Sequence, residues 1–431
     1  MSHIDASPLK ITIINKSDST GGAAVVSYRL MEALRMAGTD TRMIVTEKLS
    51  DSPYVTTAAS PRAIKTRFLL ERLKIFAATG FNRDNLFKID TGESGLPLWN
   101  HPWVKETDAI LLNWVNQGML SLKGYERILE LGKPVIWTMH DMWCMTGICH
   151  HSAGCERYKA QCGECPLLMS KASTNDLSHK VWTRKEDIYS RKELMRKTAF
   201  VAVSSWLAKK AEESSLLRHL NVEVIPNAFQ LEEVKREPSN DDKIRILFGA
   251  ARIDDPIKGL DTLREATMAL VALSPEISGK MELALFGAVK DPDALEGFGI
   301  PVRHLGVLKG EEVSKAYLES DIVVSASSYE TLPGTMVEAQ AYGCIPVSFN
   351  QGGQRDIITH HRTGYIADYD ENSKVRAKNL AEGILWASGI LRDSSALSFM
   401  KERMKESVNE KFSPLAVAQK YIRLISALKE S

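Results

Sequence analysis

The sequence predicts an α/β protein made of two doubly wound halves, each a parallel sheet with helices on both faces. Short apolar runs alternate with amphipathic helical stretches from Lys10 to Pro226 and again from Ile244 to Phe349. That is the rhythm of β-α-β units, whose strands are buried on both faces and read as continuous apolar runs. Residues 235–243 (KREPSNDDK) are polar, contain a proline, and break the rhythm, so they read as a linker. A chain of 431 residues is long enough to give each half its own core. The expected domains are 1–235 and 243–431, with the last helix a candidate to pack back on the first domain.

Lys10–Asn15 (KITIIN) is the first strand, and it delivers the loop Ser17-Asp18-Ser19-Thr20-Gly21-Gly22. The next helix, Ala23–Ala37, carries Ala23, Val26, Leu30, Leu34 and Ala37 on one stripe and stops at Gly38. The Gly21-Gly22 pair lets backbone approach a phosphate closely, although such a turn is equally plain geometry. Residues 60–83 follow as a basic amphipathic stretch. Ile64, Phe68, Leu69, Leu73 and Phe76 recur at helical spacing, while Arg62, Lys65, Arg67, Arg72 and Lys74 face elsewhere. Such a helix either lies on anionic lipid or packs on its own sheet.

Asp108–Val115 and Pro134–Thr138 are the next strands, the second ending in Met139-His140-Asp141. Ligands of parallel sheets bind beyond strand C-termini, so His140 stands in a functional position, though a single histidine there is also a common structural residue. Strands Ala199–Ser204 and Val222–Pro226, with a helix at Trp206–Ser214, complete the first series.

The second series runs strand Ile244–Phe248, helix Leu260–Leu273, strands Met281–Phe286 and Val302–Leu305, and helix Glu311–Glu319. It then reaches a β-loop-α-β unit at 321–349, with Ile322–Val324 as strand, Ser325–Leu332 as loop, Pro333–Tyr342 as helix and Ile345–Val347 as strand. Glu330 falls on that loop and Glu338 in the helix. A loop feeding a helix N-terminus offers N–H groups and a positive dipole end to an anion, while carboxylates accept hydroxyl donors. A sugar nucleotide needs both. Arg252 and Lys258, six positions apart after the first strand of this half, suit a diphosphate, Arg as a planar fork and Lys as a point charge. Gly334 and Thr335 stand at the start of the helix between the two glutamates.

Charge is balanced at 55 basic and 54 acidic residues, which argues against general nucleic-acid binding, since that needs a concentrated basic surface. No run approaches the roughly 20 apolar residues of a membrane span. The start, MSHIDASPLK, has no apolar signal core, so a cytoplasmic protein is expected, working at most at the inner membrane face through residues 60–83. Five of six cysteines crowd between 144 and 165, too local for a disulfide framework. Cys149, Cys155, Cys162 and Cys165 supply four ligands for a structural zinc, and Cys162-Gly163-Glu164-Cys165 has the commonest knuckle spacing; the first pair is set wider than usual. Buried thiols or a labile disulfide are the alternatives.

Glu330 and Glu338, with seven residues between them, then Ala339, Gly343, Pro346 and Val347, resemble the E-x7-E signature of retaining family-4 (group 1) glycosyltransferases of the GT-B fold. GAARIDDPIKGL resembles that family's R…KG element, and His140–Leu168 resembles a cysteine-bearing insertion in bacterial capsule and exopolysaccharide enzymes of the colanic-acid type. One departure is that Gly334 stands four residues after the first Glu, where many relatives have glycine at three. The resemblance implies two Rossmann-like domains facing a cleft. It implies a nucleotide-sugar donor, a saccharide or lipid-linked saccharide acceptor, and no metal or other cofactor for catalysis. It assigns ribose hydroxyls to Glu338, sugar hydroxyls to Glu330, the diphosphate to Arg252 and Lys258, and the donor sugar to His140 from the other domain. Gly21, Gly22, Gly334 and Thr335 join the donor-binding set. The implied chemistry is front-face displacement, the departing phosphate taking the acceptor's proton. A nucleotide-sugar epimerase or phosphorylase on the same plan, and a non-catalytic scaffold using the cysteine module, remain the rivals.

Overall fold

The computed structural model describes residues 7–230 and 241–431, so most of the linker read at 235–243 lies outside the described residues. The chain divides into two units, Met1–Ala228 with Pro414–Ser431, and Phe229–Ser413.

The first unit holds seven strands: β1 Lys10–Ser17, β2 Asp40–Glu47, β3 Val55–Thr57, β4 Ala109–Leu112, β5 Val135–Met139, β6 Thr198–Ala202 and β7 Val222–Val224. Their order is β3-β2-β1-β4-β5-β6-β7, every neighbouring pair parallel. Ile11, Ile13, Met43, Val45, Leu111, Ile136 and Val201 meet Leu30, Met31 and Leu34 of the Gly22–Met36 helix in one core. The Pro414–Glu430 helix belongs to this core through Val417, Tyr421, Ile425 and Leu428. The Tyr421 hydroxyl lies 2.9 Å from Thr138 Oγ1, a buried polar pair on β5.

The second unit holds β8 Ile244–Arg252, β9 Met281–Ala288, β10 Val302–His304, β11 Ile322–Ser325, β12 Ile345–Phe349 and β13 Tyr365–Ala367, all parallel in the order β10-β9-β8-β11-β12-β13. The core joins Ile246, Phe248, Leu283, Leu285, Ile322, Val324, Val347 and Phe349 to Leu263 and Leu270 of the Leu260–Leu273 helix. Leu380 and Ile384 of the Ser373–Arg392 helix join it too. Strand order reverses between β8 and β11, and between β1 and β4 in the first unit. At such switch points the loops part and leave a crevice beyond the strand ends.

Candidate functional site

In the second unit the residues expected at a donor site follow the C-terminal ends of β8 and β11, the strands flanking the switch point. Lys258 Nζ donates to Glu330 Oε1 at 2.6 Å, and Ser327 Oγ donates to the same oxygen at 3.1 Å. Two backbone features hold this pair. Gly259 sits at φ 74° directly after Lys258, where a Cβ would lie 2.1 Å from Ala326 O, so only glycine lets the two loops touch. The Glu330 backbone is pinned on both sides, its N–H donating to Gln351 O at 3.1 Å and its carbonyl accepting from Gly353 N at 3.1 Å. Gly352, at φ 144°, passes so close that a Cβ would lie 1.7 Å from that carbonyl.

Arg252 ends β8 and points two nitrogens at carboxylates, Nε 3.4 Å from Asp254 Oδ1 and Nη2 3.1 Å from Asp255 Oδ2. Its side chain is 47% exposed, so these partners are exchangeable for a ligand anion. The helix between the glutamates runs Gly334–Ala341, and no side chain caps its N-terminus at Pro333. Gly334 and Thr335 therefore stand in a first turn whose N–H groups have no intrahelical acceptor. Gly334 packs close to the Phe229 ring, where a Cβ would come within 3.1 Å. Glu338 Oε2 accepts from the Tyr317 hydroxyl at 3.0 Å, and Tyr317 stacks on Tyr342 with centroids 5.3 Å apart. Burial, then the Glu338 charge, pushes the Tyr317 phenol well up, so it stays a donor. The structure thus gathers Arg252, Lys258, Glu330, Gly334, Thr335 and Glu338 on one unit. Ser327 and Tyr317 position the two glutamates; a hydroxyl in a serine-rich loop and a tyrosine on another helix carried no spacing signal.

In the first unit Gly21, at φ 91°, precedes the Gly22–Met36 helix, again without a side-chain cap. The loop ahead of it is tied by Asp18, whose carboxylate accepts from Leu49 N and Ser50 N, each at 2.9 Å. His140 follows β5, and burial pushes its imidazole down to about 4, leaving it neutral near pH 7. Beside it is a pair that spacing did not reveal: Asp141 Oδ2 lies 2.7 Å from His150 Nδ1 and accepts from Trp114 Nε1 at 2.9 Å. Burial alone would raise the Asp141 carboxyl, but the His150 charge and hydrogen bond outweigh it and hold it down to about 2. Lys185 is buried as well; its Nζ donates to Thr146 O at 2.9 Å and Gly147 O at 3.1 Å, stitching down the loop that follows His140.

Three observations bear on what the sequence leads one to expect. Cys149, Cys155, Cys162 and Cys165 do line one small void of ≈ 20 Å³, and Gly147 N–H donates to Cys162 Sγ at 3.2 Å. Among the described residues no three His, Cys, Asp or Glu side chains stand together as a metal-holding group. In the absence of metal, burial pushes the Cys149 thiol up to about 12 and Cys162 to about 11. Secondly, Arg72 does not face outward with the other cations. It is buried and ion-paired with Asp90 at 2.9 Å, while Leu69 and Leu73 are exposed. Thirdly, an Asp-x-Asp stands at a strand end, Asp368-Tyr369-Asp370 after β13.

Comparison with known proteins matches residues 244–386 to the family model described as glycosyl transferases group 1. Every second-unit residue named above as a candidate donor contact lies inside that match. The fold is that of GT-B glycosyltransferases, and the part of the second unit that carries the candidate donor contacts is similar to the group 1 glycosyl transferases. Among relatives, the chain is 23% identical over 372 residues to a protein of Escherichia coli K12 named as the colanic acid biosynthesis glycosyl transferase WcaC, covering 81% of this chain and 85% of that one. A GDP-mannose-dependent alpha-mannosyltransferase of Mycobacterium tuberculosis is 32% identical over 94 residues, 22% of this chain and 25% of its own. Among solved structures, a glycosyltransferase from Rickettsia africae ESF-5 superposes with a TM-score of 0.63 at 14% identity, covering 99% of this chain and 100% of that one. WaaG, a glycosyltransferase involved in lipopolysaccharide biosynthesis, superposes at 0.59 with 12% identity, over 97% and 100% of the two chains.

Proposed function

We propose that this glycosyltransferase moves a sugar from a nucleotide-sugar donor to a saccharide or lipid-linked saccharide acceptor, with retention of anomeric configuration, in bacterial surface-polysaccharide synthesis at the inner face of the cytoplasmic membrane. The observation that carries the donor assignment is the Lys258–Glu330 pair at the switch point, flanked by Arg252 and an uncapped helix start. Cations and free N–H groups suit a diphosphate, and carboxylates suit sugar and ribose hydroxyls. The relatives named for polysaccharide and lipopolysaccharide assembly supply the setting.

In this reading Arg252 and Lys258 neutralise the charge that grows on the leaving diphosphate. Lys258 exchanges its bond to Glu330 for the phosphate, which frees Glu330 to accept sugar hydroxyls, and Glu338, oriented by Tyr317, accepts from the ribose. The leaving phosphate oxygen takes the acceptor's proton, so no protein base is needed. His140, neutral at physiological pH, is assigned to the donor sugar as a hydrogen-bonding group. The four thiols are assigned a structural zinc outside the transfer step; their soft donors and the Gly147 N–H beside Cys162 suit that metal, which when bound would cross-link the segment. Nuclear magnetic resonance of the freshly formed linkage tests retention: an α-linked donor is expected to give an α-linked product, and a β-linked product would overturn the mechanism.

A further inference from the structure

The Pro61–Ala78 helix is turned inside out. Its buried side carries Glu71, Arg72 and Ile75. Glu71 accepts from Thr91 N and Thr91 Oγ1, each at 2.6 Å, and Arg72 pairs with Asp90. The outward side carries leucines: Leu69 is 47% exposed, Leu70 43% and Leu73 61%. At about 100° per residue these three fall within about 100° of one another, on the side shared by exposed Arg62, Thr66 and Ala77. Lys65, Arg67 and Lys74 flank them.

The apolar surface continues past the helix end. Phe76 is one turn beyond Leu73 and meets Phe81 edge-on with centroids 5.3 Å apart. Phe81 is 70% exposed and sits at φ 65°, a backbone region costly for a bulky residue, and Phe87 is 62% exposed. Phe87 lies beside the helix, its ring centroid 5.3 Å from the Arg72 guanidinium; five large apolar side chains held in water near a buried ion pair run against ordinary burial, and exposed apolar groups clustered in this way mark interaction surfaces.

The charge around the patch selects its partner. Between Pro61 and Glu93 the exposed charges are Arg62, Lys65, Arg67, Lys74, Arg83 and Lys88 against the exposed carboxylates Asp84 and Glu93, the latter ion-paired with Lys74, in a chain whose net charge is only +1. A second copy docked face to face would set those cations against their own kind. Leucines and phenylalanines bordered by lysines and arginines match an anionic bilayer, where apolar groups enter the acyl boundary and cations sit among the headgroups. No helix among the described residues is long and apolar enough to cross a membrane, so this one would lie flat.

We propose that Leu69, Leu70, Leu73, Phe81 and Phe87, with the surrounding lysines and arginines, form the surface that docks this protein on anionic phospholipid. This deepens the membrane-face part of the proposed function and rests on it only for its biological setting. The test is sedimentation of the whole chain with phosphatidylglycerol vesicles and with phosphatidylcholine vesicles, in the absence of donor and acceptor. Binding is expected only with the anionic lipid, and it should fall as salt shortens the screening length to about 8 Å and below. Leu73→Ser combined with Phe81→Ser should weaken vesicle binding by at least about tenfold, from the lost apolar transfer. Lys65→Glu should weaken it through charge. Both variants should keep the wild-type melting temperature and thermal shift with a nucleotide sugar. Equal binding to both lipids, no binding, or unchanged binding by both variants would overturn the proposal. So would wild-type dimers that Leu73→Ser/Phe81→Ser converts to monomers, or binding to an acidic peptide in preference to vesicles. Loss of the nucleotide-sugar shift in the wild type would instead count against the donor site alone.

Discussion

Lys258→Met separates a structural from a ligand-holding role for the cation nearest Glu330. In the free protein Lys258 is ion-paired with Glu330 at 2.6 Å, with side chains 29% and 21% exposed. A pair this open to solvent is worth at most about 1 kcal/mol to folding. For a unit of this size that corresponds to roughly 2–4 °C in melting temperature. If the lysine holds diphosphate, removing it deletes a charge-assisted bond worth about 1.5–3 kcal/mol, a roughly ten- to hundredfold loss of affinity. Calorimetric titration with a nucleoside diphosphate, beside a thermal melt, reads both quantities. A cycle with Glu330→Gln isolates the pair: without diphosphate the two substitutions should couple, and with diphosphate bound the coupling should shrink because Lys258 has changed partner. A larger melting shift with unaltered diphosphate affinity would make the pair a strut of the loop and refute the reasoning.

Gly352→Ala should destabilise the second unit by at least about 1–3 kcal/mol, since it adds backbone strain at φ 144° and a Cβ placed 1.7 Å from Glu330 O; denaturant unfolding measures it, and a wild-type midpoint would show the turn is not so constrained. Glu71 gives a pH dependence: burial, then the Asp90 charge, raises its carboxyl to about 7. Its folded value lies above the unfolded value of about 4.3, so its contribution is complete below that value and is lost as pH rises through about 7. Melting temperatures between pH 5 and 8 should therefore fall less steeply in Glu71→Gln than in wild type, by up to about 1 kcal/mol per pH unit, with a constant offset from the weakened bond to Ser94 N; parallel curves would contradict this. Reduced protein titrated with zinc should take up one equivalent with a rise in melting temperature, lost in Cys162→Ser/Cys165→Ser; no uptake by the wild type would end the zinc assignment.

Much of the second unit was legible because its strands β11 and β12 are buried along their whole length and its Leu260–Leu273 helix carries regular apolar spacing. The helix Leu260–Leu273 lies where the apolar spacing puts it, and β11 and β12 bracket the loop of Glu330 as read. The strand Asp40–Glu47 was missed because charged and hydroxyl residues interrupt its run, and Val55–Thr57 and Tyr365–Ala367 are too short to show a period. The two-residue roles were the least legible. Tyr317 orients Glu338 from 21 positions away, and Asp141 meets His150 across a loop, contacts that only the fold creates. The inverted helix shows the opposite limit. Helical spacing located Pro61–Ala78, but a buried Arg72–Asp90 pair, invisible to periodicity, decided which side faces the core.

The claim on which the rest depends is that the second unit binds a sugar nucleotide at Arg252, Lys258, Glu330 and Glu338. Calorimetric titration of the wild type and Glu338→Ala with a panel of nucleoside diphosphates and their sugar conjugates tests it directly. The account predicts that at least one nucleotide binds the wild type at one site per chain and binds Glu338→Ala more weakly by roughly tenfold or more, for the loss of a ribose hydrogen bond to a carboxylate. Saturable binding with the same affinity in both proteins, or no binding of any nucleotide by the wild type, would contradict it.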